Sequence, residues 1–114
     1  TGIGGIETMQ DNVTAFATKG PRRVSPFAVP KCLANMATGE IAIRAGFQGP
    51  NKAVVTACAA GTQSMGEAAM LIRLGIVDVM ICGGAEGAVI PFGMAAFAAM
   101  KALSTRNDDP ARAS

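Results

Sequence analysis

The chain has 114 residues, half of them hydrophobic and only 16% charged, which leaves room for one domain around a modest core. A net charge of +2 is too weak for a dedicated nucleic-acid binder, and no apolar run approaches the roughly 18 residues of a membrane-crossing helix. Three widely spaced cysteines without a single histidine argue against a disulfide framework or a zinc site, so neither metal nor cofactor is expected.

Taken in chain order, residues 6–18 read as a first helix, with Ile6, Met9, Val13 and Phe16 on one face and Gly20-Pro21 as its stop. Pro21, Pro26 and Pro30 mark the stretch up to residue 30 as an irregular connection. Residues 31–45 read as a second helix, with Leu33, Met36, Ala37 and Ile41 inward. Glu40 and Arg44 form an i,i+4 pair, and Gly46 serves as the C-terminal cap. After the turn Gly49-Pro50-Asn51, the apolar run 53–56 is expected to be a central strand. Residues 61–74 form the next helix, with Met65, Ala68, Ala69 and Ile72 inward and Gly75 as its end. Residues 78–82 read as a second buried strand and 91–103 as an Ala-rich helix, followed by a polar tail. Strand, helix and strand over 53–82 predict a right-handed βαβ unit with parallel strands, hence an α/β fold. The start at Thr1 within a glycine-rich run, the polar finish and the apolar excess lead us to expect a piece of a larger core.

The segment Val54-Val55-Thr56-Ala57-Cys58-Ala59-Ala60-Gly61-Thr62 carries the chemistry. Cys58 falls where the expected strand turns into a helix. The free N–H groups and partial positive charge of a helix start favour a thiolate and a developing oxyanion there. Small neighbours leave space for an acyl group. An inert buried thiol is the alternative, and pattern alone leaves the two readings level for Cys58. Cys32, within a helix, and Cys82, within a strand, read as inert. Reduced thiols point to the cytoplasm. Glu86, after two glycines in an apolar setting, reads as a buried, hydrogen-bonded structural carboxylate. The run Gly2-Ile3-Gly4-Gly5 does not fit a dinucleotide fingerprint, because Glu7 stands where the third glycine belongs.

Beyond these readings, VVTACAAGTQSMGEA, DVMICGGAEGAVIPFG and FAAMKALSTRNDDP, together with GIGGIETM and GPRRVSPFAVP…ANMATGEIAIRAGFQGPN, closely resemble the beta-ketoacyl-acyl carrier protein synthases. Within that family the similarity is closest to the type II enzymes of bacterial fatty-acid synthesis. The resemblance covers essentially the whole chain. It implies a thiolase-like αβαβα architecture, of which residues 1–114 would be part of the N-terminal αβα half, and a homodimeric parent. It also implies an acyltransferase in which Cys58 accepts an acyl chain from acyl carrier protein. Malonyl carrier protein then loses carbon dioxide, and its carbanion attacks the Cys58 thioester, lengthening the chain by two carbons. The family's two active-site histidines, a lysine and a gating loop have no counterpart here, so the isolated chain is expected to be inactive.

The same resemblance implies that Ile3, Gly93 and Phe97 line the acyl pocket. It places Ala28 and Val29 at the dimer interface near the partner's pocket. The family commonly has an aromatic where Ala28 stands, which puts the pocket's end in question. Arg22, Arg23 and Lys101 match positions that dock the acidic carrier protein, in a basic patch with Lys19 and Lys31. A solvated basic face is the plain alternative. The rival functional readings are a thiolase, a polyketide ketosynthase and a non-catalytic dimerisation module. A second downstream cysteine would mark the first, and fused acyltransferase or carrier domains the second.

Overall fold

A computed structural model describes all residues from Thr1 to Ser114. Helix α1 spans Ile6–Lys19, α2 Ala28–Cys32, α3 Met36–Ala45, α4 Ala60–Arg73 and α5 Pro91–Ala99. Short 3-10 turns occupy Pro21–Arg23, Ala57–Ala59 and Pro110–Arg112. Helices α1 and α4 match the expected ones to within a residue at each end, and α5 begins where expected. Glu40 and Arg44 pair at 3.1 Å as the i,i+4 spacing requires.

The second expected helix is split into α2 and α3. Pro30 sits in the first turn of α2, where its missing N–H has no helical partner to lose. The Cys32 carbonyl lies 3.5 Å from the Gly5 N–H, across the start of α1, rather than bonding the next helical turn. Leu33 is extended at φ −68°, ψ 127°, and the chain restarts its helix at Met36. Gly5 makes this crossing possible, since a Cβ there would overlap the Lys31 carbonyl oxygen.

Three helices end in paired Schellman bonds. Gly46 at φ 69° closes α3, with Gly46 N–H donating to Ile43 and Phe47 N–H to Ala42. Gly75 at φ 67° closes α4, through its bond to Ile72 and that of Ile76 to Leu71. Lys101, at φ 58°, does the same for α5, so that helix stops short of the expected residue 103.

Neither apolar segment forms a strand. Residues 53–56 and 78–82 have no assigned secondary structure, and no backbone hydrogen bond joins them. The βαβ unit is therefore present only as a helix between two unpaired segments. A strand exists only when a neighbour completes its ladder, and an apolar run cannot supply that neighbour.

The core is equally sparse. Only Ala60, Ala68 and Gly93 are buried. The faces expected inward are largely open: Met9, Val13 and Phe16 on α1, Leu33, Met36 and Ile41 around α3, and Met65 and Ile72 on α4. The molecule measures 50 × 44 × 20 Å, a thin slab. Its radius of gyration is 17.8 Å, against roughly 13 Å for a compact domain of this length. Periodicity identifies the side of a helix that avoids water, but burial needs a second layer.

Candidate active site at Cys58

The backbone turns sharply just before Cys58. Thr56 leaves the apolar segment at φ −127°, ψ 45°, and Ala57 follows at φ 50°. A left-handed alanine costs about 1–2 kcal/mol and is held only by its surroundings. Cys58 lies in the 3-10 turn that feeds directly into α4, with Ala59 N–H donating to the Thr56 carbonyl at 3.1 Å. The thiol is free and its residue exposed. No side chain caps α4 and no acidic residue stands in its first turn. No side chain reaches its leading N–H groups, and the 3-10 turn takes up those of Ala59 and Ala60, which donate to the Thr56 and Ala57 carbonyls.

Two surfaces frame this turn. On one side, α4 meets the glycine pair after the second apolar segment. A Cβ on Gly84 would come within 3.0 Å of the Gly61 Cα, so only glycine lets the two backbones approach this closely. Ser64 Oγ lies 2.8 Å from the carbonyls of both Gly61 and Gly83, sharing one proton between the helix and that loop.

On the other side lies the run Thr1–Gly4. A Cβ on Gly2 would lie 3.2 Å from the Ala57 Cα and 3.3 Å from its carbonyl carbon and oxygen. Glu86 gathers this run. Its Oε2 accepts from Thr1 Oγ1 at 2.8 Å, from Gly2 N–H at 2.5 Å and from Ile3 N–H at 2.7 Å, while Oε1 accepts from Gly4 N–H at 3.3 Å. Desolvation works against its charge, but the bonds from Ile3, Thr1, Gly2 and Gly4 outweigh it and hold the carboxyl below the ordinary glutamate value. Glu86 is hydrogen-bonded as expected, yet exposed rather than buried. Gly2 within its glycine run and Ser64 within its motif carry no role of their own in the sequence. The glycine run and the small residues after Cys58 were the only signals for them.

The other sequence candidates are dispersed. Ile3 adjoins the turn through Gly2 and is exposed. Gly93 is buried on α5, where a Cβ would overlap the Ala88 carbonyl oxygen, so this position demands glycine for backbone packing. Phe97, a turn further along α5, is half-buried. Gln10 of α1 ties α5 in by accepting the Phe92 N–H at 3.2 Å. Ala28 and Val29 open α2, the first half-buried and the second 70% exposed. Asn12 anchors the preceding connection, its Oδ1 accepting Ser25 N–H at 2.7 Å.

Three of the basic residues share clefts, the second of which Asp11 also lines, and Arg22 lines neither. Lys19 and Arg23 line a shallow cleft with Ala15, and Arg23 and Lys31 line a second with Asn12 and Ser25. The three ion pairs in the molecule are Arg44–Glu40, Lys52–Glu67 and Arg112–Asp109, so Lys19, Arg22, Arg23, Lys31 and Lys101 are all unpaired. Lys101 stands apart, on the left-handed turn after α5. No group of three or more His, Cys, Asp or Glu side chains converges as a metal site would require. No helix is long and apolar enough to cross a membrane.

Comparison with known proteins identifies the frame in which these features sit. The family model described as beta-ketoacyl synthase, N-terminal domain, matches residues 1–114. The chain is 51% identical over its whole length to the 3-oxoacyl-[acyl-carrier-protein] synthase 2 of a Synechocystis species and 51% identical to that of Vibrio cholerae. It spans 27% and 28% of those relatives. The same-named Coxiella burnetii protein is 46% identical over the full chain. Among solved structures, a type II polyketide-synthase acyl-carrier protein in complex with its ketosynthase, bound to the hexaketide, superposes with a TM-score of 0.79 at 27% identity. That match covers 85% of this chain and 28% of the other. Over 85% of its length the chain thus follows the fold of a ketosynthase N-terminal region, and it belongs to the beta-ketoacyl synthase family.

Proposed function

We propose that this chain supplies the acyl-accepting cysteine of a condensing enzyme that lengthens acyl chains by two carbons in fatty-acid synthesis. The observation that carries this reading is Cys58 itself, exposed on a strained turn at the uncapped start of α4 in a chain 51% identical to 3-oxoacyl-[acyl-carrier-protein] synthases.

Cys58 Sγ attacks the thioester carbonyl of an acyl-loaded carrier protein. A carbon–sulfur bond forms to the enzyme, the carrier's carbon–sulfur bond breaks, and the carrier thiol leaves with the proton. The Cys58 N–H donates to the oxyanion in passing. Malonyl carrier protein then releases carbon dioxide. Its carbanion forms the new carbon–carbon bond at the Cys58 thioester, and Cys58 leaves as thiolate. The chain holds no histidine, so other residues of the parent protein assist the decarboxylation.

On this reading Ile3, Gly93 and Phe97 line the acyl pocket, and Ala28 and Val29 reach the partner's pocket in a homodimer of thiolase-like αβαβα halves. The unpaired Arg22 and Arg23, with Lys101, receive the acidic carrier protein. The parent works in the cytoplasm, where the three unpaired cysteines of this chain stay reduced. A second reading, a polyketide ketosynthase, draws on the TM-score of 0.79 to such an enzyme, but at 27% identity against 51%.

The test is Cys58→Ala in the full-length protein carrying these residues. The wild type should form an acyl-enzyme and release a 3-oxoacyl product on carrier protein. The variant should lose acyl-enzyme formation entirely and condensation by at least about 10³-fold. Unchanged turnover, or turnover on coenzyme A thioesters alone, would overturn the assignment.

A further inference from the structure

We infer that Glu86 is a positioning residue for the nucleophile: its carboxylate clasps the run Thr1–Gly4 and, through Gly2, buttresses the left-handed turn that presents Cys58. This rests on the reading of Cys58 as the acyl acceptor.

Three observations join into one path. The first is convergence. Successive N–H groups of Gly2, Ile3 and Gly4 and the Thr1 hydroxyl all point at one carboxylate from more than 80 residues away in the chain. Such a set of backbone donors is an anion nest, and a charged oxygen is the acceptor it suits. Thr1 Oγ1 also accepts the Gly4 N–H at 3.1 Å, which closes the run on itself. The second is contact. Gly2 packs on Ala57 so closely that an added methyl would meet its Cα, carbonyl carbon and oxygen at 3.2–3.3 Å. The third is strain. Ala57 at φ 50° stays left-handed only while its neighbours hold it. Glu86 holds the run, the run supports Ala57, and Ala57 aims the next residue, Cys58. The same clasp fixes the Ile3 backbone, so one carboxylate sets both the nucleophile and a residue of the proposed pocket.

Glu86 does this without touching substrate. Oε2 takes three donors, and a glutamine in its place has one acceptor oxygen and no charge. Substitution should loosen the run and let Ala57 relax toward ordinary φ values.

The experiment is residue-resolved alkylation by iodoacetamide in the full-length protein, followed by peptide mass spectrometry. Wild type, Glu86→Gln, Gly2→Ala and Glu67→Gln are compared at Cys58, Cys32 and Cys82. Glu67 is a control, a hydrogen-bonded carboxylate in the middle of α4 partnered by Lys52. The expected result is a Cys58 rate lowered about tenfold in Glu86→Gln, equivalent to about 1.4 kcal/mol. Gly2→Ala should shift it in the same direction, and Glu67→Gln should match wild type. The rate at Cys82 should stay within about twofold, which a general loosening of the fold would not allow, whereas Cys32 touches Gly5 at the end of the clasped run and follows it. If Glu86→Gln unfolds and all three cysteines react faster, Gly2→Ala decides by itself. Wild-type Cys58 rates in Gly2→Ala, or in a folded Glu86→Gln, would overturn the clasp while leaving the nucleophile reading intact. A wild type in which Cys32 or Cys82 reacts ahead of Cys58 would sink the nucleophile reading and the clasp with it.

Discussion

Cys58 owes its setting to residues that the sequence marks unequally. The small residues after it, Ala59, Ala60 and Gly61, announce a tight passage into a helix. The left-handed Ala57 before it does not announce itself, because alanine is not a residue that signals positive φ. Glu86 drew notice as a lone carboxylate among apolar residues, but its partners lie at the other end of the chain and only the fold brings them together. Two carboxyls should each contribute to the acid limb of stability. Glu67 is held below its usual value of 4.5 by the hydrogen bond from Lys52, then by that from Gln63, and Glu86 by its N–H and hydroxyl donors against desolvation. A carboxyl whose folded value lies below its unfolded value contributes stability that is present above the unfolded value, near 4.5, and is lost as pH falls through the folded one. Unfolding of the full-length protein followed between pH 6 and pH 2.5 should therefore show a falling acid limb, taking those limits as roughly bracketing carboxylate titration. Combining Glu67→Gln with Glu86→Gln should make it shallower. A double variant with the wild-type slope would remove both groups from that account.

At the level of elements, helix positions were legible and helix ends only partly so. Gly46 and Gly75 stop α3 and α4 as glycines should. The end of α5 at Lys101 carries no such mark, since a lysine there adopts the left-handed turn that glycine usually fills. The break between α2 and α3 depends on Gly5 crossing under Cys32, a contact between segments 27 residues apart. Gly93 shows how an element's placement fixes a residue. It reads as a pocket-lining position by resemblance, and the structure gives it a packing reason as well, because α5 rests there on the Ala88 carbonyl. Gly93→Ala should cost about 1–3 kcal/mol, the usual range for forcing an extra methyl into a filled site. A lowered urea midpoint in the full-length protein would show it, and an unchanged midpoint would mean that the contact relaxes freely.

For the whole molecule, the decisive fact is how little is covered. Three residues of 114 are buried, while Val79, Val89, Ile43 and Met100 stand open to solvent. The isolated chain should bind a hydrophobic dye strongly and yield no 3-oxoacyl product, since it carries a candidate nucleophile but no histidine to assist decarboxylation. Product detected by mass spectrometry from the isolated chain would contradict this. The amino-acid order by itself determined roughly where the helices lie, which of their sides are apolar, and that a cysteine ends an apolar segment at a helix start, because each follows from residues within one or two turns of one another. Whether the segments at 53–56 and 78–82 become strands, which carboxylate steadies the turn, and which faces are buried were decided only in three dimensions. Each of those depends on a partner distant in sequence, and local spacing contains no information about whether that partner is in reach.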